Sequence, residues 1–304
     1  MTAPRRCLVV GHGSIGARHA RLLAAAGHEV RLVTSRPAPF PGWPTLDAAL
    51  DAGPADYVVV ATPTALHHEA LETLARRGFS GTTLVEKPHF DRPRPLPSLA
   101  GPLRVAYNLR FHPAVRELAG MLPGRRILSM HLYAGQYLPD WRPGRDYAAC
   151  YSARRDLGGG MLRDLSHELD LACHLAGPWR EVAARGGHVS DLDMDADDLF
   201  CLLLATEGCP AVTLQINCLD RPGRRRLVVN TDAFTAELDL VGHTLCVGRD
   251  TRTFDVPSDT TYMAQHRDVL ENGGVACTPD QALAVVDLIQ AAERANREKI
   301  WVTP

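Results

Sequence analysis

Short apolar runs alternate with helix-spaced stretches through the first third of the chain, and the rhythm then changes. The run RCLVV at Arg6–Val10 is strand-like, and residues 17–26 continue with apolar positions at helical spacing up to a stop at Gly27. Glu29–Val33, 57–61 and Thr82–Val85 repeat the strand signal. The second of these leads through Thr62-Pro63-Thr64 into a helix that carries His67, His68 and Glu69. Strands separated by helices predict a parallel, doubly wound α/β sheet. Past a further strand at 103–106, runs at 127–133, 199–205, 211–217, 227–229 and 234–240 follow one another with turn residues between them. No crossover helix separates the later ones, which predicts a mostly antiparallel sheet. Thr278-Pro279-Asp280-Gln281 supplies an N-cap, a proline at the first helical position and a capping-box partner, so a last helix is expected to about residue 298. Arg221-Pro222-Gly223-Arg224-Arg225-Arg226 reads as a solvated hairpin tip.

The first strand ends in Gly11-His12-Gly13-Ser14-Ile15-Gly16, a G-x-G-x-x-G between a strand and a helix. In that setting Gly11 makes the tight turn, Gly13 lets backbone amides approach a pyrophosphate, and Gly16 lets the helix pack on its strand. The turn, including His12, Ser14 and Ile15, is therefore a dinucleotide cradle facing a helix N-terminus. The second strand ends in Thr34-Ser35-Arg36, where a carboxylate would hold the ribose 2′-hydroxyl of NAD. A hydroxyl beside a guanidinium suits a 2′-phosphate instead, so Ser35 and Arg36 favour NADP, with NAD as the second choice. Ligands of open α/β sheets bind beyond the carboxyl ends of the strands, which puts Thr62, Pro63, Thr64, His67, Glu86 and Lys87 on the cofactor's edge.

Composition sharpens one of these positions. Of the cations, 31 are Arg and only 2 are Lys, and one of the two, Lys87, sits in Val85-Glu86-Lys87-Pro88. An ammonium is compact and can yield its proton, whereas guanidinium stays charged, so Lys87 is a candidate catalytic group. The balance of 45% hydrophobic and 22% charged residues with a formal net charge of -2 describes a globular protein without a basic face for nucleic acid or an anionic membrane. No apolar run approaches the roughly 20 residues of a membrane span, and the chain starts in a strand and a glycine turn with no cleavable signal. The eight cysteines lack zinc-ligand spacing and fit free thiols in a reducing cytoplasm. No metal site is expected: adjacent His67 and His68 would point about 100° apart on a helix.

Two further regions carry chemistry. Gly158-Gly159-Gly160 leads into a predicted helix on which Asp164, His167, Glu168 and Leu171 share a face. A histidine beside an aspartate there can act as a general acid/base, and a salt-bridged structural helix is the equal alternative. Asn108 and Arg110 open the second segment, and Gln136, Tyr137, Trp141, Arg142 and Tyr147 lie in a loop dense in aromatic and hydrogen-bonding groups. Such groups suit a polyol ring bearing a carboxylate or phosphate, while plain loop packing is equally open for any one of them.

GHGSIGARH at 11–19, ATPTALHHE at 61–69, EKP at 86–88 and GGGMLRDLSHELD at 158–170 together resemble the glucose-fructose oxidoreductase / inositol dehydrogenase / rhizopine catabolism family, Gfo/Idh/MocA. The resemblance implies an α/β Rossmann domain over 1–106, then an α+β domain over 107–304 built on a mostly antiparallel open sheet that also pairs subunits of a homo-oligomer. It implies hydride transfer between nicotinamide and a carbinol or ketone of a sugar, cyclitol or sugar-nucleotide-like substrate. It makes Lys87 the active-site lysine, Pro88 an often-cis proline and His167 the group exchanging the hydroxyl proton. Asp164 departs from the family pattern: the aspartate usually precedes the histidine by four residues, and here Arg163 fills that slot. An NAD-dependent glycosidase that uses transient oxidation and a non-catalytic NADP-binding sensor are the alternative functions on this fold.

Overall fold

The structure, a computed structural model, describes residues 3–304. The chain forms two compact units: the first runs to Asn108 and takes back Ser258–Ala282, and the second holds Leu109–Pro257 and Leu283–Pro304. The expected single cut after residue 106 omits that return. Among the described residues, no helix is long and apolar enough to cross a membrane.

The first unit carries β1 (Arg6–Val10), α1 (Ser14–Ala25), β2 (Glu29–Val33), β3 (Gly42–Trp43), α2 (Leu46–Asp51), β4 (Tyr57–Val60), α3 (His67–Arg76), β5 (Thr82–Val85) and β6 (Leu103–Val105). These strands form one parallel sheet in the order β3-β2-β1-β4-β5-β6. All of β4 and four of the five residues of β1 are buried, as continuous apolar runs require when both sheet faces are covered. Chain order reverses between β1 and β4, so the crevice above their carboxyl ends is the topological switch point where such sheets bind ligands.

The second unit carries α4 (Pro113–Met121), β7 (Ile127–Gly135), α5 (Met161–Asp164), α6 (Ser166–Ala176), β8 (Trp179–Gly187), β9 (Leu199–Thr206), β10 (Val212–Asn217), β11 (Arg224–Thr231), β12 (Thr235–Asp239), β13 (Thr244–Val247) and β14 (Asp250–Thr253). Its sheet runs β14-β13-β12-β11-β7-β10-β9-β8, antiparallel except for the β7–β10 pair. Burial alternates along β9 and β11, the mark of a sheet with one covered face. Two expectations need correction here. Arg224, Arg225 and Arg226 are strand residues paired to β7, so the hairpin tip ends at Gly223. The single helix expected after Gly160 is two helices, because Leu165 at φ -99°, ψ 27° breaks the turn between α5 and α6. Asp164 therefore ends one helix and His167 lies in the first turn of the next, and the shared-face argument for that pair does not hold.

The chain then returns to the first unit as α7 (Thr260–Leu270), before α8 (Pro279–Glu298). Arg18 and Arg21 of α1 both reach Asp259, Arg18 stacks over Tyr262, and the Asn108 amide donates to Thr261 at 2.7 Å. The expected capping box is present: Thr278 accepts from the Gln281 amide and Gln281 accepts from the Thr278 amide.

Candidate active site

The glycine turn has the shape its sequence calls for. Gly11 lies at φ +95°, donates to the Val33 carbonyl, and a Cβ on it would stand 2.7 Å from the Ala61 oxygen. A Cβ on Gly16 would stand 2.0 Å from the Gly11 oxygen, so both positions admit only glycine. Gly13 is different, because a Cβ there would meet nothing within 4 Å. Gly13 caps α1 without any side-chain hydrogen bond, which leaves the first-turn N–H groups facing that space. An opening before bare amide donors at a switch point fits a pyrophosphate. Nearby, the Thr62 hydroxyl after β4 is buried without a hydrogen-bond partner, Thr64 is buried, and Pro63 is exposed. Ser35 and Arg36 are exposed after β2, and the Thr34 hydroxyl accepts from the Arg36 amide at 3.1 Å.

Lys87 is half-buried, two residues past β5, and its peptide bond to Pro88 is cis. Its amide donates to Glu86 Oε2 at 3.2 Å, and Glu86 Oε1 faces His19 Nε2 at 2.8 Å. His67 is buried with Nδ1 facing the carbonyls of Pro88 and His89, both at 3.1 Å, and Nε2 facing that of Thr62 at 3.0 Å. Its ring thus braces the loop that carries Lys87 rather than presenting a free nitrogen. Burial pushes its pKa down, against the raising pull of these carbonyls.

In the second unit His167 and Asp164 are both half-buried around the α5–α6 break. The N-terminus of α5 is held in place by Asp197. Its carboxylate accepts from the Leu162 amide at 2.9 Å, its carbonyl accepts from Met161 at 3.1 Å, and Gly160 sits against it at φ +108° where a Cβ would clash. Desolvation pushes the Asp197 pKa up to about 6, against the lowering pull of the Leu162 amide and Arg163. Arg163, in the slot where the family places its aspartate, pairs with Glu293 of α8 at 2.7 Å.

The expected substrate groups separate into two kinds. Arg110 is buried and holds Asp170 of α6 through Nε at 2.9 Å and Nη2 at 2.6 Å, so its fork is committed to the protein. Asn108 is likewise buried and spends its amide on Thr261. Gln136 and Arg142 are exposed, Tyr137 lies under Arg221 with the guanidinium 3.6 Å from the ring centre, and Trp141 donates to the Gln136 carbonyl. Tyr137, Trp141 and Tyr147 pack beside a cluster of Leu138, Met161 and Met194, and the Tyr147 hydroxyl accepts from the Asp193 amide at 3.1 Å. Sequence reasoning did not single out Tyr57, His19, Asp197 or His266. His19 alone carried a signal, one turn past Gly16 on the same helix.

A bare-amide glycine cradle at the switch point of a parallel sheet, followed by an antiparallel-sheet unit, is the layout of a two-unit dinucleotide-binding protein. Residues 5–99 match the model of the oxidoreductase family with an NAD-binding Rossmann fold, and residues 126–237 match that of the GFO/IDH/MocA C-terminal domain. The chain belongs to the GFO/IDH/MocA family. No curated protein sequence matches it. Solved structures share its fold over nearly their full length. They include GenD2 from gentamicin A biosynthesis in complex with NAD, at 22% identity and TM-score 0.82 over 100% of this chain and 97% of that one. WlbA dehydrogenase from Bordetella pertussis, in complex with NADH and UDP-GlcNAcA, has 19% identity and TM-score 0.83 over 99% of each chain. UDP-N-acetylglucosamine 3-dehydrogenase GnnA from Acidithiobacillus ferrooxidans has 21% identity and TM-score 0.76 over 97% and 98%.

Proposed function

We propose that the protein is an NADP-dependent dehydrogenase or reductase acting on the CH–OH or ketone of a sugar, cyclitol or sugar-nucleotide-like substrate. The observation that carries this is the Gly11–Gly16 turn, open only in front of Gly13, with Lys87 at the carboxyl end of a strand in the same sheet. The nicotinamide, when bound, takes or gives the carbinol hydride. Lys87 hydrogen-bonds the reacting oxygen and stabilises its developing charge, and His167 takes the hydroxyl proton in oxidation and returns it in reduction. Asp164 has a weaker claim, since the helix break removes the shared face. Gln136, Tyr137, Trp141, Arg142 and Tyr147 are the remaining substrate contacts, and Arg110 is left to Asp170. Relatives of the same fold in complex with NAD or NADH, and with UDP-GlcNAcA in the WlbA dehydrogenases, support the substrate class. The NADP preference rests on Thr34-Ser35-Arg36, which offers a hydroxyl and a guanidinium and no carboxylate. The protein works in the cytoplasm as a homo-oligomer paired through its sheet unit.

The test joins binding to turnover. Arg36→Asp is expected to weaken NADP by about 2–3 kcal/mol, through loss of a charge-assisted contact and an added repulsion, and to leave NAD little changed. A wild type that already prefers NAD overturns the NADP assignment. In a panel of sugar acids, cyclitols and nucleotide sugars, reduced nicotinamide should form stoichiometrically with ketone. Cleavage of a glycoside with no net change in reduced nicotinamide would instead make the enzyme a hydrolase.

A further inference from the structure

Behind Lys87 a chain of polar groups crosses the interior of the first unit. Tyr57 Oη of β4 lies 2.9 Å from His266 Nδ1 of α7, His266 Nε2 lies 2.9 Å from His19 Nδ1 of α1, and His19 Nε2 lies 2.8 Å from Glu86 Oε1. The other carboxylate oxygen, Oε2, accepts from the Lys87 amide. Tyr57 and His19 are completely buried, and His266 and Glu86 nearly so.

Counting protons fixes the direction of this chain. Three contacts join the four groups, and a buried donor without an acceptor is costly, so each contact needs one hydrogen. With Glu86 ionised and both rings neutral there are three hydrogens, and a single arrangement places them. Tyr57 donates to Nδ1 of His266, His266 donates from Nε2 to Nδ1 of His19, and His19 donates from Nε2 to Glu86. A hydrogen on Glu86 Oε1, donated to His19, would reverse every contact and turn the buried Tyr57 hydrogen away from any acceptor. Burial drives the His266 pKa far below its ordinary value and raises that of Tyr57, so both stay neutral.

We propose that Tyr57, His266 and His19 form a one-way donor relay that holds Glu86 as a carboxylate with both oxygens engaged, and so fixes the main chain from which Lys87 projects. Tyr57 and His266 are positioning residues for Lys87. In a low-dielectric interior, donors in series polarise one another and favour an anion at the end of the row without burying a full opposite charge. The segment returning to this unit thus delivers the middle member of the relay. The catalytic meaning of the proposal rests on the role given to Lys87 above, but its test does not.

The test uses the scarcity of lysine. Full-length protein labelled with 15N-lysine has two lysine amide cross-peaks, from Lys87 and Lys299, and Lys299→Arg assigns them. His266→Phe removes the acceptor of Tyr57 and the donor to His19. The Lys87 amide proton should then move upfield and exchange about tenfold faster as its bond to Glu86 loosens. His266→Gln offers a carbonyl and an N–H a similar distance apart, and should restore the original peak. In wild type labelled with 15N-histidine, His19 and His266 should both be neutral with the proton on Nε2. A protonated ring or an Nδ1–H tautomer at either residue overturns the relay, and so does a folded His266→Phe protein whose Lys87 amide is unmoved. If His266→Phe does not fold, Tyr57→Phe removes one hydroxyl only. His266 should keep its Nε2–H tautomer, which the bond to His19 still requires, while the Lys87 peak should shift the same way by less, and an unmoved Lys87 peak overturns the proposal. Failure of every substrate in the panel would leave these spectra as they are, so the two readings fail separately.

Discussion

At the scale of single residues, the glycines of the first turn separate folding from binding. Gly16→Ala forces a methyl to within 2.0 Å of the Gly11 oxygen, so helix α1 has to move off its strand. A loss of about 1–3 kcal/mol in unfolding free energy is expected, as for other over-packed sites. Gly13→Ala meets no protein atom and sits at φ -77°, an ordinary angle for alanine. Its stability should stay within about 0.5 kcal/mol of wild type. NADP affinity should nevertheless fall at least about tenfold, since the new methyl occupies the space in front of the bare amides. Urea unfolding and calorimetric titration of the two variants check both halves, and a Gly13→Ala protein that binds NADP normally would mean that no pyrophosphate lies there. Lys87→Arg tests the other end of the site. A planar fork that cannot yield its proton should reduce turnover roughly 100-fold or more with cofactor affinity nearly unchanged, and a variant that keeps most of its turnover removes Lys87 from the chemistry.

At the scale of elements, the start of the short helix α5 is pinned by one buried carboxylate whose sign of action can be worked out. The Asp197 pKa is raised from 3.8 to about 6, so the folded state holds this proton more tightly than the unfolded chain. The stability it adds is complete below about pH 4 and is lost as the pH rises to 6. At 1.36 kcal/mol per pH unit the loss is on the order of 2–3 kcal/mol. Asp197→Asn has no proton to lose. Whatever constant offset the amide brings, the difference in unfolding free energy between variant and wild type should shift by about 2–3 kcal/mol in the variant's favour between pH 4 and pH 7. Urea melts at four pH values give the answer, and a pH-independent difference would show that Asp197 is ionised throughout. The break between α5 and α6 was hidden from the sequence. MLRDLSHELD keeps helical spacing across Leu165, and nothing local says that a carboxylate more than thirty residues later will cap the first short helix. The parallel strands other than the two-residue β3 were readable because burial on both faces leaves unbroken apolar runs. Strands β8, β13 and β14 were not, since β14 is exposed along its whole length and β8 includes two glycines and few aliphatic residues. In the site, motif residues after strands could be found by position alone. His266 could not, because its role depends on a contact made 247 residues away in sequence.

At the scale of the whole molecule, the first unit is discontinuous, and this is what the division expected from sequence lacked. Ser258–Ala282 gives that unit the α7 helix, the Asp259 partner of Arg18 and Arg21, the Thr261 acceptor of Asn108, and a main-chain bridge from Cys277 to Val105. Without it, Tyr57 and His19 would each face a cavity where His266 had been, with buried polar atoms unpaired at a cost of about 1–3 kcal/mol each. Residues 1–108 alone should therefore lack a cooperative unfolding transition. Because Asn108 already touches Thr261, a short Gly/Ser linker from Asn108 to Ser258 should suffice to join 1–108 to 258–282. That fusion should unfold in one transition and bind NADP within about threefold of the full chain, a difference of less than 1 kcal/mol. Thermal denaturation followed by circular dichroism, with and without NADP, compares the two pieces. Cooperative folding of 1–108 by itself would show that the returning segment only decorates the unit, whereas a fusion that folds and binds makes the segment part of its core.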